Sequence, residues 1–202
     1  MNTQYLLAGA LALALPSVAS ADKVEFSGEI GINVATSGSA TETTANLVSE
    51  MSYRGAFFGA EAETLYKDPA DDAEITLTLG YTFALGSDAE VTVSYSRIYL
   101  NDSGFSSHEA AVALGFPVSD NVSAGVEVVR DLTAKSTDIS LGAEFGLGNG
   151  FTGEALVGHD GTDNYAEAGV SYEITDNVSA GFLLEVAEHT KPTYNFGLTY
   201  SF

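Results

Sequence analysis

Carboxylates dominate the charge of this 202-residue chain, and their spacing is the first feature with chemical consequences. Along segments that alternate apolar and polar residues, Glu25, Glu29, Glu50, Glu61 and Glu63 fall on the polar phase. So do Glu74, Glu90, Glu109, Glu127 and Glu144, then Glu154, Glu167, Glu173 and Glu185. Together they are fourteen of the sixteen glutamates. Residues two apart on an extended strand project from one face, so this set describes a single acidic surface. Its other positions are mostly small or polar, as at Ser27, Gly31, Thr76, Gly125 and Gly197. No Lys or Arg joins it. Lys23 and Arg54 sit at segment ends on one side, Lys67, Lys135 and Lys191 in loops on the other, and Arg97 and Arg130 on the apolar phase. Unpaired carboxylates in a dry interior would each cost several kcal/mol or be forced to protonate. The acidic surface must therefore meet water, where it would concentrate cations and repel anions.

Other chemistry is less well supplied. The three histidines, His108, His159 and His189, all lie near the same set of segment ends, with Ser106-Ser107-His108 and His159-Asp160 as the only hints of hydrolytic machinery. A nucleophile, a base and an orienting acid are needed together, and no such triad is readable. Asp68, Asp71, Asp72 and Glu74 form an acidic loop without the spacing and glycine of a calcium loop, which reads as solvated. There is no cysteine, so thiolate metal sites and disulfides are excluded, and no cofactor is expected. With 28 acids against 7 bases, a net charge of −21 excludes a binder of nucleic-acid phosphates.

The elements that must position these glutamates are strands. Twelve period-2 segments span about 24–35, 45–54, 56–66, 74–84, 89–100, 108–117, 122–131, 137–147, 151–159, 165–174, 178–188 and 193–202. Short turns at 54–55, 85–88, 117–121, 148–150 and 175–177 alternate with longer polar connections at 36–44, 67–73, 101–107, 132–136, 160–164 and 189–192. Asp120-Asn121-Val122-Ser123-Ala124-Gly125 recurs as Asp176-Asn177-Val178-Ser179-Ala180-Gly181, the mark of a repeated hairpin. Aromatic residues gather at both ends: Tyr53, Tyr81, Phe83, Phe116, Phe145, Phe151, Tyr172, Tyr200 and Phe202 at one, Tyr66, Tyr99, Tyr165 and Tyr194 at the other. Two such girdles suit the two interfaces of a membrane.

The chain's two ends carry the most specific signals. The final strand alternates strictly, with Phe196, Leu198, Tyr200 and Phe202 on one face and Asn195, Gly197, Thr199 and Ser201 on the other. With Asn195, Gly197, Tyr200 and terminal Phe202 in place, it resembles the C-terminal assembly signal of Gram-negative outer-membrane β-barrels. At the other end, an apolar run from Leu6 to Leu15, then Pro16 and Ala19-Ser20-Ala21, has the form of a secretory signal peptide over 1–21, although its n-region has no Lys or Arg. The mature barrel would span 22–202.

The resemblance is to outer-membrane β-barrels of the small porin type. It implies an all-β, antiparallel transmembrane barrel with both termini periplasmic, secreted across the inner membrane and inserted by the barrel-assembly machinery. It also implies contact with outer-membrane lipid and lipopolysaccharide, and leaves room for a homo-oligomer. Twelve strands at ~4.8 Å spacing and ~40° tilt give a backbone radius of roughly 12 Å. Such a lumen, lined by glutamates, is expected to pass small cations or neutral solutes passively. Small twelve-stranded channels for acidic oligosaccharides carry arginine tracks that this chain lacks, so that cargo does not transfer. The competing readings are a non-conducting structural barrel, an outer-membrane barrel enzyme and, at the level of fold, a secreted β-sandwich.

Overall fold

The computed structural model describes residues 23–65, 70–86 and 88–202. The expected signal peptide over 1–21, together with Tyr66, Lys67 and Asp68, lies outside the described residues. Twelve strands follow one another: β1 (Glu25–Ser37), β2 (Ala40–Tyr53), β3 (Ala56–Thr64), β4 (Ala73–Leu85), β5 (Ala89–Leu100) and β6 (Gly104–Ser119). The second half comprises β7 (Val122–Asp131), β8 (Thr137–Gly148), β9 (Phe151–His159), β10 (Asn164–Thr175), β11 (Val178–Ala187) and β12 (Thr193–Ser201). Each pairs antiparallel with its sequence neighbours, and β1 pairs with β12 to close a barrel. Closure leaves no open edge, which excludes the sandwich.

Burial is inverted relative to a soluble domain. Among the described residues Ile98 alone is a buried hydrophobic, at 5 % exposure, while Phe26 is 76 % and Leu79 63 % exposed. The exposed apolar rows share one face along every strand, as Ile30, Leu47 and Tyr200 do across β1, β2 and β12. That is the convex outer face. A continuous apolar exterior with every backbone ladder closed is the arrangement a bilayer demands.

The start of β1, the end of β12 and the turns between β2 and β3, β4 and β5, β6 and β7, β8 and β9, and β10 and β11 share one rim. Arg54-Gly55 and Asn149-Gly150 have positive φ at both positions, the hairpin turn whose twist matches that of the strands. The opposite rim differs from the sequence reading. Instead of a long loop over 36–44, β1 and β2 run on to a two-residue turn at 38–39, with Ser37 opposite Ala40. The connection expected over 101–107 shortens to 101–103, because β6 begins at Gly104 and a bulge between Ile98 and Tyr99 absorbs the extra residue. β6 also continues through Pro117, which pairs with Ser123, and a second bulge follows it before Ser119.

The seam between the first and last strands is tightly made. Phe202 and Gly28 exchange backbone hydrogen bonds of 3.0 and 2.9 Å. The Phe202 ring lies over Gly28, where a β-carbon would come within 2.6 Å of it.

Candidate functional site

Register, rather than side-chain chemistry, decides which residues the barrel encloses, since directly paired residues share a face. Starting from Glu29, the partners Ser201 and Val48 lie on the face opposite the exposed apolar rows. Val48 pairs with Glu61, Asn46 with Glu63, and Glu63 with Glu74. The same ladder continues through Ser96 and Glu109 to Asp131, and through Ala113 and Glu127 to Ser140. Glu144 faces Glu154 and Glu167 faces Glu185. Glu25, Glu50, Glu90 and Glu173 are on this face as well, opposite Ser52, Ser27, Gly115 and Ser179. Every Asp and Glu carried by a described strand is on the inner face, Glu42, Asp131 and Asp138 included. The strands carry two basic residues, Arg97 and Arg130, and register puts both outside, opposite His108 and Ala110.

Carboxylates brought together without bases are held by neutral donors. Tyr165 donates its hydroxyl to Asp138 at 2.9 Å, and the Asn195 side-chain amide donates to Glu185 Oε1 at 2.8 Å. Ser201 reaches Glu29 Oε1 at 3.3 Å. Between acids the wall is bridged by hydroxyl pairs, Thr78 with Ser96 at 2.8 Å and Thr82 with Thr92 at 2.9 Å. Several inner glycines leave room for a neighbour to lie flat: Phe57 covers Gly80, Tyr165 covers Gly158, and the Glu154 side chain crosses Gly169. Side chains pressed against the wall occupy less of the bore than ones pointing at the axis.

The inner face is not as uniformly small and polar as its sequence pattern suggests. Val48, Phe57, Ile98, Leu100, Val129, Leu156 and Leu183 also pair into it. Tyr165 does so too, opposite Gly158 and Ala187, so it leaves the aromatic girdle to which its position near a strand end had assigned it. The other described members suit a girdle: Tyr81 with Phe83, Phe151 with Tyr172, and Tyr200 with Phe202 form outer-face contacts at the rim where β12 ends.

The histidines do not assemble a hydrolytic site. Ser107 pairs with Ile98 on the inner face while His108 pairs with Arg97 on the outer, so neighbours in sequence point apart. His108 Nδ1 is 2.9 Å from the Tyr95 hydroxyl, and His189 Nδ1 is 2.9 Å from Asp163. His159 pairs with Ile139 on the outer face. Asp71, expected as a solvated loop acid, is only 3 % exposed. It accepts hydrogen bonds from the Ser103 hydroxyl at 2.6 Å and from the amides of Asp102 and Ser103 at 2.8 and 2.9 Å. Asn101 reciprocates, its side-chain oxygen accepting from the amides of Asp72 and Ala73. Asp71 is therefore a clasp between two hairpins, a role no local pattern signals because its partners lie beyond the next two strands.

No family model matches the chain, and no curated protein sequence matches it. Solved structures do. The KdgM porin superposes with a TM-score of 0.72 at 14% identity, covering 86% of this chain and 99% of that one. A KdgM porin in complex with disordered oligogalacturonate gives 0.72 at 12% identity, covering 87% and 99%. The NanC porin gives 0.69 at 10% identity, covering 85% and 98%. At such identities the likeness establishes the fold, a closed twelve-stranded porin barrel.

Proposed function

We propose that this protein is an outer-membrane diffusion channel whose acidic lumen favours small cations and neutral solutes. The observation that carries the reading is the segregation of charge: strand carboxylates inside, the two strand arginines outside. Carboxylates in such number, with no basic partner among the described strand residues of their face, remain ionised only in contact with water, and a hydrated acidic bore enriches cations. Passage needs no energy coupling; the wall filters by charge and by width.

The neighbouring KdgM structure holds an oligogalacturonate, a polyanion. A wall of glutamates repels such a cargo, so we infer an opposite preference on a shared scaffold. In this reading the termini face the periplasm, residues 1–21 direct secretion, and the C-terminal strand presents Tyr200 and Phe202 to the insertion machinery. The exposure of both aromatic rings on the outer face supports that assignment.

The deciding experiment is the reversal potential of the purified protein in a planar bilayer under a KCl gradient. A cation-selective potential that weakens as pH falls below about 5, towards the ordinary carboxylate range, is expected. Absence of conductance after verified insertion would replace the channel with a structural barrel, and anion selectivity would overturn the role given to the glutamates.

A further inference from the structure

The outer face holds a feature that conduction does not use. On a chain of net charge −21, the strand-borne bases Arg97 and Arg130 lie two strands apart on the lipid-facing side, with His108 on the strand between them. Arg97 pairs directly with His108, and Arg130 pairs with Ala110, two residues along the same strand and the same face. Ala110 is also opposite Tyr95, so a small residue forms the floor of a shallow site walled by longer ones. The bulge between Ile98 and Tyr99 turns Phe105 onto this face beside His108, their rings 5.8 Å apart.

The arginines are held without being neutralised. The Arg97 guanidinium stacks over the Phe105 ring at 5.0 Å and the Tyr99 ring at 5.5 Å. Arg130 donates to the Thr137 hydroxyl at 2.7 Å. Neither has a carboxylate partner among the described residues, although the same three strands carry Glu109, Glu127 and Asp131 on the other face. Two guanidiniums at the end of an apolar band, without carboxylate partners and held by aromatic rings at Arg97 and by the Thr137 hydroxyl at Arg130, match a phosphate at the level of lipid headgroups.

We propose that Arg97, His108 and Arg130 form a docking site for the phosphate of a membrane-lipid headgroup, the acyl chains lying along the apolar rows below. Charge complementarity selects this occupant, since the site is the cationic exception on the barrel's lipid-facing strands. The inference rests on the membrane-barrel reading but not on conduction, and is tested without current measurement.

Native mass spectrometry of the folded protein released from detergent micelles reads it directly. Dioleoyl phosphatidic acid and dioleoylglycerol share acyl chains and differ by the phosphate. The wild-type protein should retain one phosphatidic acid at least ~10-fold more than dioleoylglycerol, and R97Q/R130Q should abolish the difference, while K135Q in a nearby loop should preserve it. R97K/R130K, which keeps charge but loses the planar fork, should fall between them, and serves if the neutral variant fails to fold. Equal retention of the two lipids by the wild type overturns the site. So does full displacement of phosphatidic acid by millimolar inorganic phosphate, which would make it a free-phosphate site. A protein dimer that dissociates in R97Q/R130Q without lipid would make the patch an interface between two copies, and would overturn it equally. Preserved lipid discrimination in a protein that does not conduct would leave this site standing and remove only the channel.

Discussion

Asp71 shows what a single residue can do on this rim. Its carboxylate joins the segment leading into β4 to the 101–103 turn through three hydrogen bonds from Asp102 and Ser103. The Ser103 hydroxyl foremost, with the two backbone amides, holds its pKa below the ordinary aspartate value. A carboxyl whose folded pKa is depressed contributes stability that is complete above the unfolded value of about 3.9 and is lost as pH falls through the folded one. The clasp should therefore hold at neutral pH and open only in strong acid. In D71A, amide exchange at Asp102 and Ser103 should accelerate at pH 7 while ladder amides such as Thr76 are unchanged. The difference from wild type should shrink as pH drops below about 4. Unaltered exchange at Ser103 would show that the backbone ladder holds the loop without Asp71. The sequence could not reveal this role, because a lone Asp in an acidic loop has the same local pattern whether solvated or clasped.

At the scale of strands, alternation makes the number and phase of the elements legible, but not their ends. Residues 36–44 read as a loop because Thr36, Ser37, Thr41, Thr43 and Thr44 are polar on both phases, so period 2 vanishes from the pattern while the ladder persists. The bulge at Ile98 and Tyr99 is equally invisible, since an extra residue in one strand is defined only against its partner. The same dependence makes the β1–β12 seam vulnerable. A side chain at Gly28 would meet the Phe202 ring and, at 2.8 Å, the carbonyl oxygen of Val48, which is backbone and cannot yield. Gly28→Val should destabilise the barrel by ~1–3 kcal/mol, the usual range for overpacking. Gly59→Ala, whose nearest neighbours would be 3.8 and 3.9 Å away, should be tolerated. Urea titration of the heat-modifiable gel shift compares them, and equal midpoints would mean that Phe202 does not close the seam through Gly28.

Across the whole molecule, what the sequence encodes most fully is the partition of charge, because each strand's phase is fixed by its own alternation and closure turns phase into inside and outside. The inner apolar residues Phe57, Leu156 and Leu183 were less legible, since they break alternation singly and only register assigns them. The partition has an energetic consequence. Glu63 faces Glu74, Glu144 faces Glu154 and Glu167 faces Glu185, pairs whose β-carbons stand roughly 5 Å apart. At 0.1 M salt the Debye length is about 10 Å, so each pair repels; at 1 M it is about 3 Å and the repulsion is screened. Added salt should therefore raise the urea midpoint of unfolding and, on the function proposed above, lower the channel's cation preference. Replacing one member of each pair, as E74Q/E144Q/E167Q, should flatten the salt dependence of stability and reduce the cation-to-anion permeability ratio by roughly two-fold or more. The two readouts separate two origins of the acidity. A variant that loses the salt dependence of stability yet keeps full selectivity would assign these glutamates to tolerance of salt. Loss of selectivity together with that salt dependence would mean that the carboxylates which strain the barrel are also the ones that sort its solutes.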